Sequence, residues 1–197
     1  MAISELGYNT DYIHGIKSRE KINELVAQVN LTSNYGTEGV FEEFTTQSGS
    51  PEDVPKTVLY GTNKDSDNGH VTYLNGVFTI NTAGFYAIKS RIRSGRTGAS
   101  GSSNLFFWAE GRADSGDAWA ITGASVDVLL GSSNDNKIFF DFSTLFLSAG
   151  FQLRSRFSRS STGNDSGDLV PSVPSSALVT VGVNPTPSAQ VTIYKSA

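Results

Sequence analysis

The clearest hydrophobic pattern in the chain is an alternation within Phe85–Arg93, where Tyr86, Ile88 and Ile92 are separated by small or basic residues. Successive side chains of an extended strand point to opposite faces, so this period of two is typical of a half-buried antiparallel strand. An Ala-Gly turn precedes the run at residues 83 and 84. A similar strand, Ala-Gly turn and strand lie within Ser143–Phe157. Both units predict strand pairs whose basic residues leave on the polar face.

Short apolar runs of the same kind follow one another from residue 57 to the end of the chain, separated by linkers rich in Gly, Ser, Asn and Asp. Regular short strands with such turns predict an all-β sandwich or barrel. Gly123 divides one of the runs into two strands. The predicted strands are Thr57–Thr62, Val71–Leu74, Val77–Asn81, Phe85–Arg93, Asn104–Glu110, Ala118–Leu130, Lys137–Ser148, Phe151–Ser158, Ala177–Val183 and Gln190–Lys195.

The first 45 residues follow a different pattern. Ser18 is suited to cap a helix, and apolar residues then recur at helical spacing, at Ile22, Leu25, Val26 and Val29. A helix of about 12 residues is marginal alone in water, so its apolar stripe needs a partner. The following stretch, Leu31–Phe44, is predicted to be an extended arm or a first edge strand. We therefore divide the chain into an arm with a short helix at 1–45 and a β domain at 46–197.

Two predicted strands are apolar on both faces, which indicates that both faces are covered. Phe106 and Trp108 oppose Phe107 in one strand, and the strand Lys137–Ser148 carries Phe or Leu on both sides. Large exposed aromatic patches are rare on monomers, so either an arm or a second subunit covers them, or they pack under long loops. We favour the oligomer, and the residues predicted to pack between subunits are Phe106, Trp108, Phe139, Leu145 and Leu147.

Two segments, Phe78–Tyr86 and Leu145–Leu153, resemble the best signatures of C1q/TNF-like jelly-rolls, with a small residue, Gly and an aromatic residue at the turn. The resemblance covers roughly residues 50–197 and implies a trimeric antiparallel jelly-roll of about ten strands. Two departures, Phe151 in place of a usual polar residue and the long loop Ser158–Ser176, mean that no calcium or receptor site is carried over. Similar modules occur on the virions of tailed bacteriophages.

Composition narrows the chemistry further. The 197 residues carry a net charge of −4, which disfavours a general nucleic-acid binder, and no cysteine, which excludes disulfides and thiolate metal sites. Apolar runs are far shorter than a membrane span, and the N-terminus lacks the features of a signal peptide. His14 and His70 lack a nucleophile motif beside them. We expect no enzymatic activity, no cofactor and no membrane or nucleic-acid partner.

Basic residues cluster in the two Ala-Gly units, and the resemblance implies that their strands are neighbours in the sheet that faces the trimer axis. They form either ion pairs, for example with Asp127 and Asp141, or an anion site between subunits or toward a partner. The residues of this possible site are Lys89, Arg91, Arg93, Arg154 and Arg156.

The first functional hypothesis is a structural protein of a phage virion, a homotrimeric capsid decoration or head-fibre protein assembled in the host cytoplasm. Its arm would hold the major capsid protein or another virion protein. Decoration comes first because the chain lacks the repeated shaft or heptads that a fibre needs for reach. The predicted anchoring contacts are Ile22, Leu25, Val26, Val29, Phe41 and Phe44. The alternative is a tail-fibre or receptor-binding tip that recognises a host surface glycan, with Trp119 and, if it is not buried, Trp108 stacking on sugars.

Overall fold

The computed structural model describes residues 35–49, 51–63, 69–96, 102–123, 125–131, 136–163 and 167–196. Within these ranges the chain forms thirteen strands and one short helix. The elements are β1 (Tyr35–Glu43), β2 (Lys56–Thr57), β3 (Thr62–Asn63), β4 (Val71–Leu74), β5 (Val77–Ile80), β6 (Gly84–Gly95), β7 (Ser103–Arg112), β8 (Ala120–Ile121), β9 (Val126–Leu130), β10 (Asn136–Leu147), β11 (Gln152–Gly163), β12 (Asp168–Leu169), α1 (Ser176–Thr180) and β13 (Ala189–Ser196).

The strands pair into two antiparallel sheets. Sheet A has the order β10-β6-β13-β1-β3, and β12 also pairs with β6. Sheet B has the order β4-β5-β11-β7-β8, with β2 against β11 and β9 against β7. Consecutive strands of the chain therefore often lie in different sheets, as in a jelly-roll. The predicted all-β antiparallel sandwich is confirmed.

The core lies between the two sheets and is built from the inward-facing residues of the strands of both sheets. Ile92, Val191 and Ile193 contribute from sheet A, and Leu105 and Phe157 from sheet B, all of them at most 3% exposed. Because the side-chain period of a strand is two, each strand gives its alternate residues to this core and the others to an outward face. The two outward faces are thus fixed by the register of the sheets.

Phe41 of β1 belongs to this core. It is 4% exposed, and its ring lies 5.1 Å from the rings of both Tyr73 and Phe78 on sheet B, measured between centroids. The strand β1 itself pairs along its length with β13. The prediction of Phe41 as an anchoring contact is therefore wrong, and the jelly-roll includes Tyr35–Glu43 rather than beginning at residue 46. The predicted helix at residues 18–30 lies outside the described residues.

A second correction concerns Ala177–Val183, which is not a strand. Ser176–Thr180 form the helix α1, and Gly182 ends it in a left-handed conformation with φ of 89°. The amide of Gly182 donates to the carbonyl of Val179, and the amide of Val183 donates to that of Leu178. This pair of bonds satisfies the last carbonyls of a helix and needs a residue that tolerates positive φ. The glycine thus outweighs the β-branched composition of the segment.

Two other predicted boundaries differ from the structure. Thr57–Thr62 is not one strand but two short ones, β2 and β3, with Val58 and Tyr60 between them fully buried. The predicted loop Ser158–Ser176 is shorter, because β11 continues to Gly163 and β12 pairs with the end of β6. These differences move turns but leave the sandwich unchanged.

One side chain serves as a strand partner near β12. The amide group of Gln47 donates from Nε2 to the carbonyl of Leu59 at 2.8 Å and accepts from the amide of Leu59 at Oε1 at 2.7 Å. The backbone of Gln47 at the same time exchanges two hydrogen bonds with Leu169 of β12. Gln47 is 8% exposed, so this double connection lies inside the protein. It joins the segment between β1 and β2 both to β12 of sheet A and to the segment between β2 and β3.

Candidate functional site

The outward face of sheet A carries an aromatic pair at the sheet edge. Phe85 of β6 and Phe146 of β10 are directly opposite in register and are 55% and 58% exposed. Their ring centroids are 5.3 Å apart in an edge-to-face arrangement, which is favourable for two aromatic rings. Ile138, on the same face of β10, is 47% exposed. This surface, which we call the aromatic edge and define by Phe85, Ile138 and Phe146, has large apolar area in contact with solvent.

Three basic residues of β6 share that outward face. Lys89 is exposed, whereas Arg91 and Arg93 are half-buried. Arg93 donates from Nη1 to the carbonyls of Val170 and Pro171, at 2.9 and 2.8 Å. Burial lowers the pKa of Arg93, and the neighbouring charge of Arg91 lowers it further. Arg93 therefore ties the end of β6 to the segment after β12.

The outward face of sheet B is organised around one carboxylate, Glu110 of β7. Arg154 on β11 is opposite Glu110 in register, and its guanidinium contacts Oε2 of Glu110 at 2.6 Å. The indole of Trp108 donates to Oε1 of Glu110 at 2.9 Å. Arg156 approaches the same Oε2 at 3.7 Å and also donates to Oγ1 of Thr57. The side chains of Glu110, Arg154 and Arg156 are only 13%, 20% and 17% exposed.

The indole of Trp119 extends this arrangement to the next cross-strand residue pair of β7 and β11, Arg112 and Gln152. The guanidinium carbons of Arg112 and Arg154 lie 4.4 and 3.9 Å from the ring centroid of Trp119, within the range of cation–π attraction. Arg112 also donates from Nε to Oε1 of Gln152 at 2.7 Å. We call this surface the charged ladder, and its residues are Trp108, Glu110, Arg112, Trp119, Gln152, Arg154 and Arg156.

The ladder sets the charge of its central acid. Burial alone would raise the pKa of Glu110, but hydrogen bonds from Trp108 and Arg154 and the charges of Arg154 and Arg156 outweigh it. The net result is a pKa below its ordinary value. Burial lowers the pKa of Arg156, and the charge of Arg154 adds to that effect while Glu110 opposes it. Glu110 therefore stays ionised, and the ladder is held together by charge.

The predicted basic cluster is split by the fold. Lys89, Arg91 and Arg93 lie on sheet A, whereas Arg154 and Arg156 lie on sheet B, so the expectation that their strands are neighbours is wrong. Local alternation identified the outward side of each strand, but sheet membership depends on pairing between distant segments. The ion-pair alternative holds for Arg154 and Arg156. Their partner is Glu110, a residue that the sequence did not single out.

The predicted subunit-packing residues also lie elsewhere than expected. Phe139, Leu145 and Leu147 of β10 point inward; Leu147 is 2% exposed and Phe139 stacks on Phe107 with centroids 6.0 Å apart. They pack inside one subunit, so their assignment to an interface is wrong. Phe106 and Trp108 lie on the outward face of sheet B, Phe106 being 39% exposed. Among the described side chains of β10, Ile138 and Phe146 are outward apolar residues that are well exposed, on the opposite face from the three predicted ones.

Four of the six predicted anchoring residues belong to the part of the chain that the structure does not describe. Ile22, Leu25, Val26 and Val29 lie outside the described residues, and Phe44, directly after β1, is 38% exposed. In the described ranges, no group of three or more acidic or histidine side chains is placed to hold a metal ion. Nor do those ranges contain a helix with the length and apolar character needed to cross a membrane.

Comparison with solved structures places this architecture among known folds. No protein-family profile and no curated protein sequence matches the chain. The structure of Eiger, a TNF from S. frugiperda, superposes with a TM-score of 0.51 and 13% identity over 83% of this chain and 94% of the other. The fold is that of a TNF-like jelly-roll. Murine APRIL in its crystal structure at pH 8.0 gives a TM-score of 0.48 with 7% identity, over 81% of this chain and 98% of APRIL.

The likeness confirms the TNF-like jelly-roll that the two Ala-Gly segments implied. At 13% identity it concerns the arrangement of strands and not the chemistry of any site. The aromatic edge and the charged ladder are therefore features of this chain's own sequence, placed on the two outward faces of a TNF-like jelly-roll.

Proposed function

We propose that the chain is a non-enzymatic assembly module that forms a homotrimer through the outward face of sheet A. The observation that supports this is the aromatic edge, where Phe85 and Phe146 are both more than half exposed. Fully burying a phenylalanine stabilises a protein by about 1.5–3 kcal/mol, so covering this pair is a substantial driving force for association. The resemblance to C1q/TNF-like proteins supplies the expected number of subunits.

Charge also favours a ring over a simple dimer. A twofold interface brings the same patch of both copies together. Through this face it would place Lys89 and Arg91 near their own copies, and apposed like charges are unfavourable. A threefold ring instead brings different parts of the surface into contact, so the aromatic edge of one copy can meet a region of the next that does not carry the same cations.

The stoichiometry of the full chain tests this step. We expect native mass spectrometry and light scattering to give three copies per particle at micromolar concentration. A monomer or a dimer would contradict the proposal. Dilution should shift the trimer directly to monomers, since a single type of interface holds the ring.

For the trimer we propose the role of a structural protein in a tailed-phage virion, as a capsid decoration or head-fibre protein. Support comes from a composition free of cysteine and rich in Gly and Ser, and by analogy from the use of C1q/TNF-like jelly-roll modules on phage particles. Residues 1–34 and Phe44 are the proposed attachment to the capsid. Residues 35–43 are excluded from it because they form β1.

A substitution in the proposed stripe tests the attachment in the full chain. Leu25→Asp should abolish binding to capsids that lack the protein, measured by co-sedimentation, while native mass spectrometry still gives a trimer. Gln28→Asp, on the same predicted helix but outside the apolar stripe, is the matched control and should bind normally. Normal capsid binding by Leu25→Asp would show that the stripe is not the anchor.

A receptor-binding tip is the second candidate, and one observation favours it. Phe106, Trp108 and Trp119 lie on the outward face of sheet B beside arginines, and aromatic and basic side chains are common in sugar sites. The rings of Trp108 and Trp119 are, however, already engaged by Glu110 and by two guanidinium groups. Specific binding of the isolated protein to host cells, lost in Trp119→Ala, would support this role in preference to capsid decoration.

A further inference from the structure

A cavity of about 390 Å³ lies between the two sheets. Ile88, Leu145 and Ile193 of sheet A form one wall, and Phe107 and Leu153 of sheet B form the other. Binding pockets for small molecules are typically of this size, mostly apolar, with a few polar groups placed among the apolar ones. The residues of sheet A that line it point inward, so this cavity is separate from the outward face of sheet A and therefore from the proposed trimer interface.

The cavity opens where sheet B is incomplete. The strand β7 is paired with β8 at Glu110 and Gly111 and with β9 only from Phe107 toward its start. Between those two partners no strand of the described residues pairs with the edge of β7, and the amide of Thr122 donates to the carbonyl of Ala109. The residues that line the cavity at this gap are Thr122, Gly123 and Val126.

Three hydroxyl groups, those of Tyr60, Ser90 and Ser155, are hydrogen-bonded to one another, and Ser90 and Ser155 line the cavity. Tyr60 donates its phenolic hydrogen to Oγ of Ser155 at 2.7 Å, and its oxygen lies 3.1 Å from Oγ of Ser90. A phenol has one hydrogen, so Ser90 must be the donor in the second bond. The Ser155 hydroxyl, which lines the cavity, then accepts from Tyr60 and keeps its own hydrogen for another acceptor.

The charged residues that line the cavity are already engaged. Arg154 and Arg156 line it, but their guanidinium groups contact Glu110 and Thr57 on the outward face of sheet B. The inward side chains at the cavity are hydrocarbon or hydroxyl groups. An anionic head group would therefore lose its water without gaining a cation, which is unfavourable.

We propose that this cavity binds a neutral, mainly hydrocarbon molecule with one oxygen atom that accepts a hydrogen bond from Ser155. A cavity of about 150 Å³ with similar walls holds benzene, so the volume here suits a molecule of bicyclic or small terpenoid size. Water alone is a poor occupant, because a buried water needs two to four polar partners and the walls offer few.

Titration of the full chain with the neutral ketone β-ionone tests the site. Isothermal calorimetry should give saturable binding of one molecule per chain with a dissociation constant in the micromolar range, and decanoate should bind at least tenfold more weakly. Non-saturable uptake, or equal affinity for the two compounds, would overturn the proposal.

Two pairs of variants locate the binding. Val126→Trp should block the opening and weaken binding of β-ionone by more than tenfold, whereas Ile121→Trp, on the exposed side of β8, should bind as the wild type does. Ser155→Ala should weaken binding about tenfold, the value of one hydrogen bond, while Ser143→Ala in the opposite wall should not. Unchanged affinity in Val126→Trp would overturn the site. Trimer formation and the midpoint of thermal unfolding, measured in parallel, show that each variant is folded.

Discussion

The outward faces of the two sheets differ in whether their large side chains contact one another or the solvent. On sheet B, Arg154 and Trp108 bond to Glu110, and Arg112 bonds to Gln152. On sheet A, the aromatic edge leaves Phe85 and Phe146 in contact with solvent. Both faces consist of regular strands with the same alternation, so the difference lies entirely in which side chains occupy the outward positions.

The two faces therefore differ in whether their side chains find their partners within one subunit. Polar side chains can satisfy each other locally, because hydrogen bonds and ion pairs are directional and short. Apolar side chains on an outer face gain only when another surface covers them. The charged ladder is therefore expected to contribute to the stability of the subunit, and the aromatic edge to the association of subunits.

The largest expected effect separates the faces directly. Phe146→Asp should raise the dissociation constant of the proposed trimer by at least about 100-fold, because it removes a ring that the trimer would bury and places a carboxylate in that apolar contact. Phe106→Asp is the matched change on sheet B and should leave the trimer intact. Analytical ultracentrifugation over a dilution series measures both. Dissociation in Phe106→Asp but not in Phe146→Asp would reverse the assignment of the faces.

The converse change acts on the ladder. Glu110→Ala should lower the free energy of unfolding by about 2 kcal/mol, since it removes hydrogen bonds to charged groups and leaves Arg154 and Arg156 beside each other. Asp127→Ala, an exposed acid on the neighbouring strand β9, should change it by less than about 0.5 kcal/mol. Urea unfolding gives both values. Equal effects of the two substitutions would mean that the ladder does not stabilise the subunit.

Acid should weaken the ladder and not the core. The pKa of Glu110 is lower in the folded protein than its ordinary value of 4.5, so the unfolded chain binds a proton first. The contribution of ionised Glu110 to the free energy of unfolding is complete above about pH 4.5. It is lost as the pH falls through the lower pKa that Glu110 has in the folded protein. Unfolding by urea across this range should show a shallower acid dependence in Glu110→Gln than in the wild type. Identical slopes would contradict the role of Glu110.

The smallest effect concerns the shape of one cation. Arg112→Lys keeps the charge but loses the planar group beside Trp119 and the bond from Nε to Gln152. The expected loss is about 0.5–1 kcal/mol of unfolding free energy. The reverse type of exchange on sheet A, Lys89→Arg, should have no measurable effect. A loss in Lys89→Arg as large as in Arg112→Lys would show that the stacking geometry is unimportant.

Local alternation was sufficient to locate most strands and to predict the sandwich. It could not tell which face of β10 points into the core, because both faces of that strand carry apolar residues. Leu147 and Phe146 differ only in which side the register of sheet A turns inward. The sequence therefore placed the packing residues on the wrong face.

Long-range pairing explains the other differences. The Ala-Gly units look alike, yet β6 enters sheet A and β11 enters sheet B. Glu110 was missed because its main partner, Arg154, is distant in the chain; the one local signal was its position on the same strand face as Trp108. The short helix α1 was missed because the glycine that ends it outweighs the strand preference of the residues before it.

The side chain of Gln47 has a consequence for how this protein opens. The amide of Leu59 is hydrogen-bonded to a carboxamide and not to a neighbouring strand. Rotation of that side chain frees the amide without separating any pair of strands, so hydrogen exchange at Leu59 should proceed by local fluctuation. The amide of Leu169, held by the backbone of the same residue, requires the segments themselves to part and should exchange more slowly. The side chain and the backbone of one glutamine thus protect two amides that should exchange hydrogen at different rates, Leu59 quickly and Leu169 slowly.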